Sequence, residues 1–176
     1  MSKKKPSTIP SLRSVKHTTL FVVEGETEAL LIKYINGLYS HGGGTRVSVV
    51  NARGKGSNHV YDKAFRCHAG YSCVVLLYDM DKPPNKGNKD RARKLKFNLI
   101  EVVPAIEALY LEILGIKRPP TTRECKRTLH EALAVNNMLD RKTLEKHFPS
   151  SLLSERRITI PNLERIFQFI RPCDYL

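Results

Sequence analysis

The run Cys73-Val74-Val75-Leu76-Leu77-Tyr78 is the most continuous apolar stretch in the chain, and it stops on Asp79-Met80-Asp81. Six apolar residues without alternation suit a central strand of a parallel sheet, buried on both faces. Such a strand requires helices above and below it, which restricts the fold to the α/β class. Three further β-forming runs, Thr18–Val23, Arg46–Asn51 and Phe97–Val103, recur roughly 20–30 residues apart, the spacing of βαβ crossovers.

The intervening segments read as helices. Glu26–Leu38 places Leu30, Leu31, Ile35 and Leu38 on one face, a short helix is expected around Val60–His68, and a basic helical stretch follows the loop at 82–90. Pro104 opens an apolar helix to Leu114, in keeping with proline at a first helical turn. Helical periodicity continues in Thr121–Ala134, Asp140–Phe148 and Pro161–Ile170, with Ser-rich punctuation at 150–154. The expected fold is a three-layer, Rossmann-like α/β domain: a mostly parallel central sheet of about four strands, helices on both faces and a helical C-terminal part. Residues 1–16 lack hydrophobic periodicity and read as a flexible basic arm, leaving 17–176 as one domain of this 176-residue chain.

Charge narrows the partner. Thirty Lys+Arg against seventeen Asp+Glu give a formal net charge of +13, a field that draws polyanions. The cations cluster at Lys3–Lys16, at Lys117–Arg127, and in Lys82, Lys86, Lys89, Arg91, Arg93, Lys94 and Lys96, the last group directly after the acidic motif. With no Trp, base-stacking platforms are scarce, so phosphate contacts dominate the expected recognition of DNA or RNA. No apolar run approaches the ~18 residues of a membrane span, and no signal peptide is apparent, so the expected location is cytoplasmic. The four cysteines form no C-x-x-C pair and the six histidines lack metal-site spacing, which argues against a zinc site; the cysteines are expected as free, buried thiols.

A parallel sheet binds ligands at the carboxyl ends of its strands, and the carboxylates lie there. Glu24 follows the first strand; Asp79 and Asp81 follow the third. If those strands are neighbours, three carboxylates share a rim, and residues i and i+2 on extended chain face the same way. Glu28, one helical turn after Glu24, and Glu107, a charge inside the apolar helix after the fourth strand, are further candidate ligands. Oxygen-only donors select a hard cation, Mg²⁺ or Mn²⁺.

Val22-Val23-Glu24-Gly25-Glu26-Thr27-Glu28 and Leu77-Tyr78-Asp79-Met80-Asp81 resemble the two motifs of the topoisomerase-primase (TOPRIM) superfamily. With the later Pro104-Ala105-Ile106-Glu107-Ala108-Leu109-Tyr110, the pattern over His17–Leu114 looks most like stand-alone RloB-like proteins and the nuclease domains of the OLD (overcoming lysogenization defect) family. The resemblance implies metal roles for Glu24, Asp79 and Asp81, and for Glu28 and Glu107 through the extra acidic residues of the OLD branch. It implies nuclease activity, a link to defence against phage or mobile elements, and a catalytic lysine. That lysine maps to Lys126, with Lys142 as the competitor; its role would be to stabilise charge in the transition state. Lys82-Pro83-Pro84 departs from the glycine that usually follows Asp-x-Asp in topoisomerases and primases, and weighs against those two activities.

The expected activity is divalent-metal-dependent hydrolysis of phosphodiester bonds in DNA or RNA. The alternative is a non-catalytic metal- and nucleic-acid-binding module within a larger complex; a homodimer or a partner protein fits either. A haloacid-dehalogenase site would carry Asp-x-Asp after the first strand, and Gly54-Lys55-Gly56-Ser57 lacks the order of a P-loop.

Overall fold

A computed structural model of the chain describes residues 17–40, 44–134 and 140–171. The N-terminal basic arm, including the cluster Lys3–Lys16, and Cys173 lie outside the described residues. The elements follow in the order β1 (His17–Val23), α1 (Glu26–Tyr39), β2 (Thr45–Asn51), α2 (Ser57–Cys67), β3 (Cys73–Asp79), α3 (Lys86–Lys94), β4 (Asn98–Val102), α4 (Ile106–Ile113), α5 (Thr122–Leu133), α6 (Arg141–His147), α7 (Ser150–Arg156) and α8 (Pro161–Ile170).

The four strands form one all-parallel sheet in the order β2-β1-β3-β4. Side chains alternate across it with the strand's period of two. Phe21, Val23, Val75, Leu77, Ile100 and Val102 enter the larger core, which α1 and α4–α8 cover. Leu20, Val22, Val74, Leu76 and Tyr78 enter a smaller core closed by α2 and α3. The architecture is therefore three-layered and Rossmann-like. Because both faces are covered, β3 buries Val74–Tyr78 without interruption, as its apolar run requires.

The side on which successive strands are added to the sheet reverses once. From β1 the chain passes through α1 to β2 on one side, then returns through α2 to β3 on the other. Crossovers of one hand then need α1 on the face opposite α2 and α3, as observed. The carboxyl ends of β1 and β3 thus flank a topological switch point, where such sheets open a crevice.

Several local expectations are corrected by packing. The Ser-rich stretch 150–154 is not punctuation but most of α7. Leu153 is fully buried, and the Tyr39 hydroxyl bonds to Ser150 O at 2.7 Å and to Ser154 Oγ at 2.9 Å, so tertiary contacts override weak helix propensity. Leu38 is 38% exposed; the buried face of α1 runs through Glu28, Ala29, Leu31, Ile32, Tyr34 and Ile35 instead. Pro104 precedes α4 rather than opening it, with Ala105 at the N-cap. Helix α2 begins at Ser57, whose buried hydroxyl donates to Lys82 O. Cys125 is buried as expected, but Cys67 and Cys73 are only half-buried free thiols.

No helix among the described residues is long and apolar enough to cross a membrane.

Candidate metal centre

Parallel pairing aligns Val23 with Leu77, so Glu24 and Asp79 leave adjacent strands at the same end of the sheet. Asp79 closes β3, and its Oδ1 accepts a hydrogen bond from Ile106 N at 2.8 Å, in the first turn of α4. A carboxylate at a helix N-terminus satisfies an orphan donor and meets the positive end of the helix dipole. This bond carries α4 to the end of β3 and with it Glu107, the second residue of that helix.

Glu28 arrives from the other direction, on the first turn of α1, and is only 4% exposed. Its neighbour Gly25 is extended at φ −140°, a conformation open to any residue, yet a Cβ built there would lie 3.2 Å from Glu28 Oε2. Glycine is needed here for space rather than for backbone freedom. Below the carboxylates, the fully buried Tyr110 donates to Thr27 O at 3.1 Å and ties α4 to α1.

Burial is the main cause that raises the pKa values of Glu24, Glu28, Asp79 and Glu107, and negative neighbours add to the rise. Burial, then the charges of Glu24 and Glu107, pushes Glu28 up to about 7. Burial, then Glu28, Glu107 and Glu24, pushes Asp79 up to about 8. Glu24 is raised by burial and Asp81, against a restraining backbone bond at Asp79 and the charges of Lys82 and Lys126. Glu107 is raised by burial and Asp81, and restrained by a backbone bond and by Lys126 and His130. Two carboxylate oxygens, Glu24 Oε2 and Glu107 Oε2, are buried without a hydrogen-bond partner. Buried oxygens of this kind are uncommon in folded proteins, and a bound ion is one way to satisfy them.

The structure thus brings Glu24, Glu28, Asp79 and Glu107 together, with Asp81 exposed at their rim, where its charge reaches Glu24 and Glu107. Among the described residues, no group of three or more His, Cys, Asp or Glu side chains is spaced to hold a metal ion as it stands. Donor chemistry, burial and two partnerless oxygens nevertheless fit a hard divalent ion. Lys126, on α5, sits 3.9 Å from Glu107 Oε1 through its Nζ, with its side chain 56% exposed. Lys142 lies on the exposed face of α6, and its charge acts on Asp140 rather than on this cluster. His130, one turn beyond Lys126 on α5, also faces Glu107; its i+4 spacing from Lys126 was the available signal.

The basic segment after β3 divides. Lys89 Nζ pairs with Glu101 at 2.8 Å, Glu101 also accepts from the Tyr78 hydroxyl at 2.6 Å, and Tyr78 bonds Tyr61 at 2.7 Å. Arg93 pairs with Asp90 and Arg91 lies over the Phe65 ring. Lys82, Lys86 and Lys94 are exposed and make no ion pair among the described residues. Comparison of the chain with family models, curated proteins and solved structures finds no match.

Proposed function

We propose that this chain is a Mg²⁺- or Mn²⁺-dependent nuclease of the TOPRIM type, hydrolysing phosphodiester bonds of DNA or RNA. The observation that carries the reading is the carboxylate cluster at the switch point between β1 and β3, with Glu24 Oε2 and Glu107 Oε2 buried and unpartnered beside Lys126.

Glu24, Glu28, Asp79, Asp81 and Glu107 would hold the ion or ion pair. When bound, the metal supplies Lewis-acid polarisation of a phosphoryl oxygen. The chain's own residues do the rest. Asp79 is oriented by its bond to Ile106 N, and Gly25 leaves room for the Glu28 carboxylate. Lys126, more than half exposed at the mouth of the cluster, sets a positive charge where negative charge gathers on the phosphoryl group. Lys82, Lys86 and Lys94 supply unpaired cations for the strand's phosphates, and a net charge of +13 draws the polyanion in.

The test is incubation of the protein and its Glu24→Ala and Asp79→Ala variants with labelled single- and double-stranded DNA and RNA, in Mg²⁺, Mn²⁺ or EDTA. Metal-dependent cleavage that disappears in both variants supports the nuclease. Nucleic-acid binding without cleavage under every condition would overturn it in favour of a non-catalytic module serving a larger complex.

A further inference from the structure

On the far side of Glu24 from β3, the chain leaving β2 builds a second polar feature. A cavity of about 420 Å³ is lined by Asn51, Arg53, Lys55, His59 and Lys63, together with the β2 backbone. Arg53 and Lys55 lie in the β2–α2 loop, while His59 and Lys63 are one turn apart on α2 and half-buried. Three cations and an imidazole therefore converge on one cavity. No carboxylate lines it, and among the described residues none of the four makes an ion pair. Like charges gathered without a counter-charge repel each other, and an anion in the cavity relieves that repulsion.

The cavity is anchored to the carboxylate cluster through main-chain bonds. Ala52 N donates to Val23 O at 2.8 Å and Gly54 N to Glu24 O at 2.7 Å, so its wall is bonded to the backbone of the candidate metal ligand Glu24. Asn51 bridges the two regions: its Nδ2 donates to Glu26 Oε1 at 2.7 Å and its Oδ1 accepts from Arg53 N at 2.6 Å. The second bond holds Arg53 at φ +66°, a left-handed conformation that a residue with a Cβ adopts only under strain. A glycine at this position would relieve the strain but forfeit the guanidinium.

We propose that this cavity binds a phosphate group of the nucleic-acid strand whose neighbouring phosphodiester lies at the carboxylate cluster. The inference rests on the nucleic-acid reading above, and it identifies a recognition element adjoining the Lys82–Lys94 segment, since Ser57 Oγ donates to Lys82 O and Asn58 Oδ1 accepts from Asn85 N at 2.9 Å. The phosphate can be an internal diester or a terminal monoester, since both present anionic oxygens to the same cations.

The experiment measures binding of fluorescein-labelled oligothymidylates by anisotropy in EDTA, where cleavage is silent, over a series of salt concentrations. Wild type is compared with Lys55→Ala/Lys63→Ala and with Arg53→Gly, using oligomers with hydroxyl ends, a 5′-phosphate or a 3′-phosphate. Melting temperature with and without Mg²⁺ is recorded for each protein. The double variant is expected to bind at least tenfold more weakly, with a log–log salt slope shallower by about 1.4, since each phosphate that a cation neutralises on a single strand adds about 0.7 to the slope. Arg53→Gly is expected to weaken binding while melting no lower than wild type. Equal weakening for all oligomers assigns an internal diester; an end-phosphate advantage present only in wild type assigns a terminal one. Wild-type affinity and salt slope in both variants would overturn the proposal, as would failure of the wild type to bind any oligomer. A missing Mg²⁺ response with these binding defects intact would instead strike the metal centre and leave the cavity assignment standing.

Discussion

Gly25 and Glu28 are coupled by a missing atom: a Cβ on Gly25 would lie 3.2 Å from Glu28 Oε2, closer than side chains ordinarily pack. The backbone there is extended, so Gly25→Ala leaves the fold intact and displaces the carboxylate by a few tenths of an ångström. The expected outcome is an unchanged metal-free melting temperature and a Mn²⁺ affinity lower by about tenfold, the scale of an outer-shell perturbation, measured by calorimetry. Unaltered Mn²⁺ affinity would remove Glu28 from the ligand set.

Acidity predicts an inverted pH profile for the metal-free protein. Asp79 is held at about 8 and Glu28 at about 7, both above their ordinary carboxylate values. The folded state therefore binds more protons than the unfolded chain between about pH 4 and 8. Its stabilisation is complete below the unfolded pKa and is lost as pH rises through these folded values. In EDTA, the melting temperature should fall from pH 5.5 to pH 8.5, and saturating Mg²⁺ should flatten that fall. A profile that rises across the same range would contradict the clustering.

Asp79→Asn and Asp79→Ala should separate charge from hydrogen bonding. Asparagine retains an oxygen for Ile106 N but cannot ionise, so it should raise metal-free stability at pH 8.5, above the value of about 8 at which Asp79 takes its charge, and abolish the Mg²⁺-induced thermal shift. Alanine also uncaps α4 and should forfeit about 1 kcal/mol relative to asparagine, measured by urea denaturation. Equal stability of the two variants would show that the bond to α4 contributes nothing.

Lys126 and Lys142 make opposite predictions. Lys126, 3.9 Å from Glu107, should on change to Ala lower kcat by about 10²–10³ with little effect on KM, as removal of a single transition-state donor does. Lys142→Ala should leave both constants unchanged. Reversal of this pattern in steady-state kinetics would transfer the role to α6.

Lys89, paired with Glu101, should behave as a structural residue. Lys89→Ala is expected to cost about 1 kcal/mol of stability and leave the salt slope of nucleic-acid binding untouched, whereas Lys86→Ala should do the reverse. A reduced salt slope in Lys89→Ala would return it to the binding surface.

Local pattern was enough for the elements that carry the site. The uninterrupted apolar run of β3 required cover on both faces, and β-forming runs separated by helical segments required parallel crossovers, because each periodicity is set within a few residues. The acidic residues at the strand ends were legible for the same reason: Glu24 and Asp79 interrupt apolar runs. What sequence could not supply was adjacency. Whether β1 neighbours β3 depends on the order β2-β1-β3-β4, a long-range choice, and only that order places Glu24 beside Asp79. The same holds for the approach of Lys126 and His130 on α5 to Glu107 on α4, whereas the cavity lined by Arg53, Lys55, His59 and Lys63 comes from one contiguous stretch whose i and i+4 cations were locally legible. Lys89 and α7 went the other way, since a salt bridge to Glu101 and hydrogen bonds from Tyr39 give basic and Ser-rich stretches structural roles. Backbone periodicity is a local property and is written in the chain; the meeting of charges is a tertiary property, decided by which strands pair and which helix ends those strands receive.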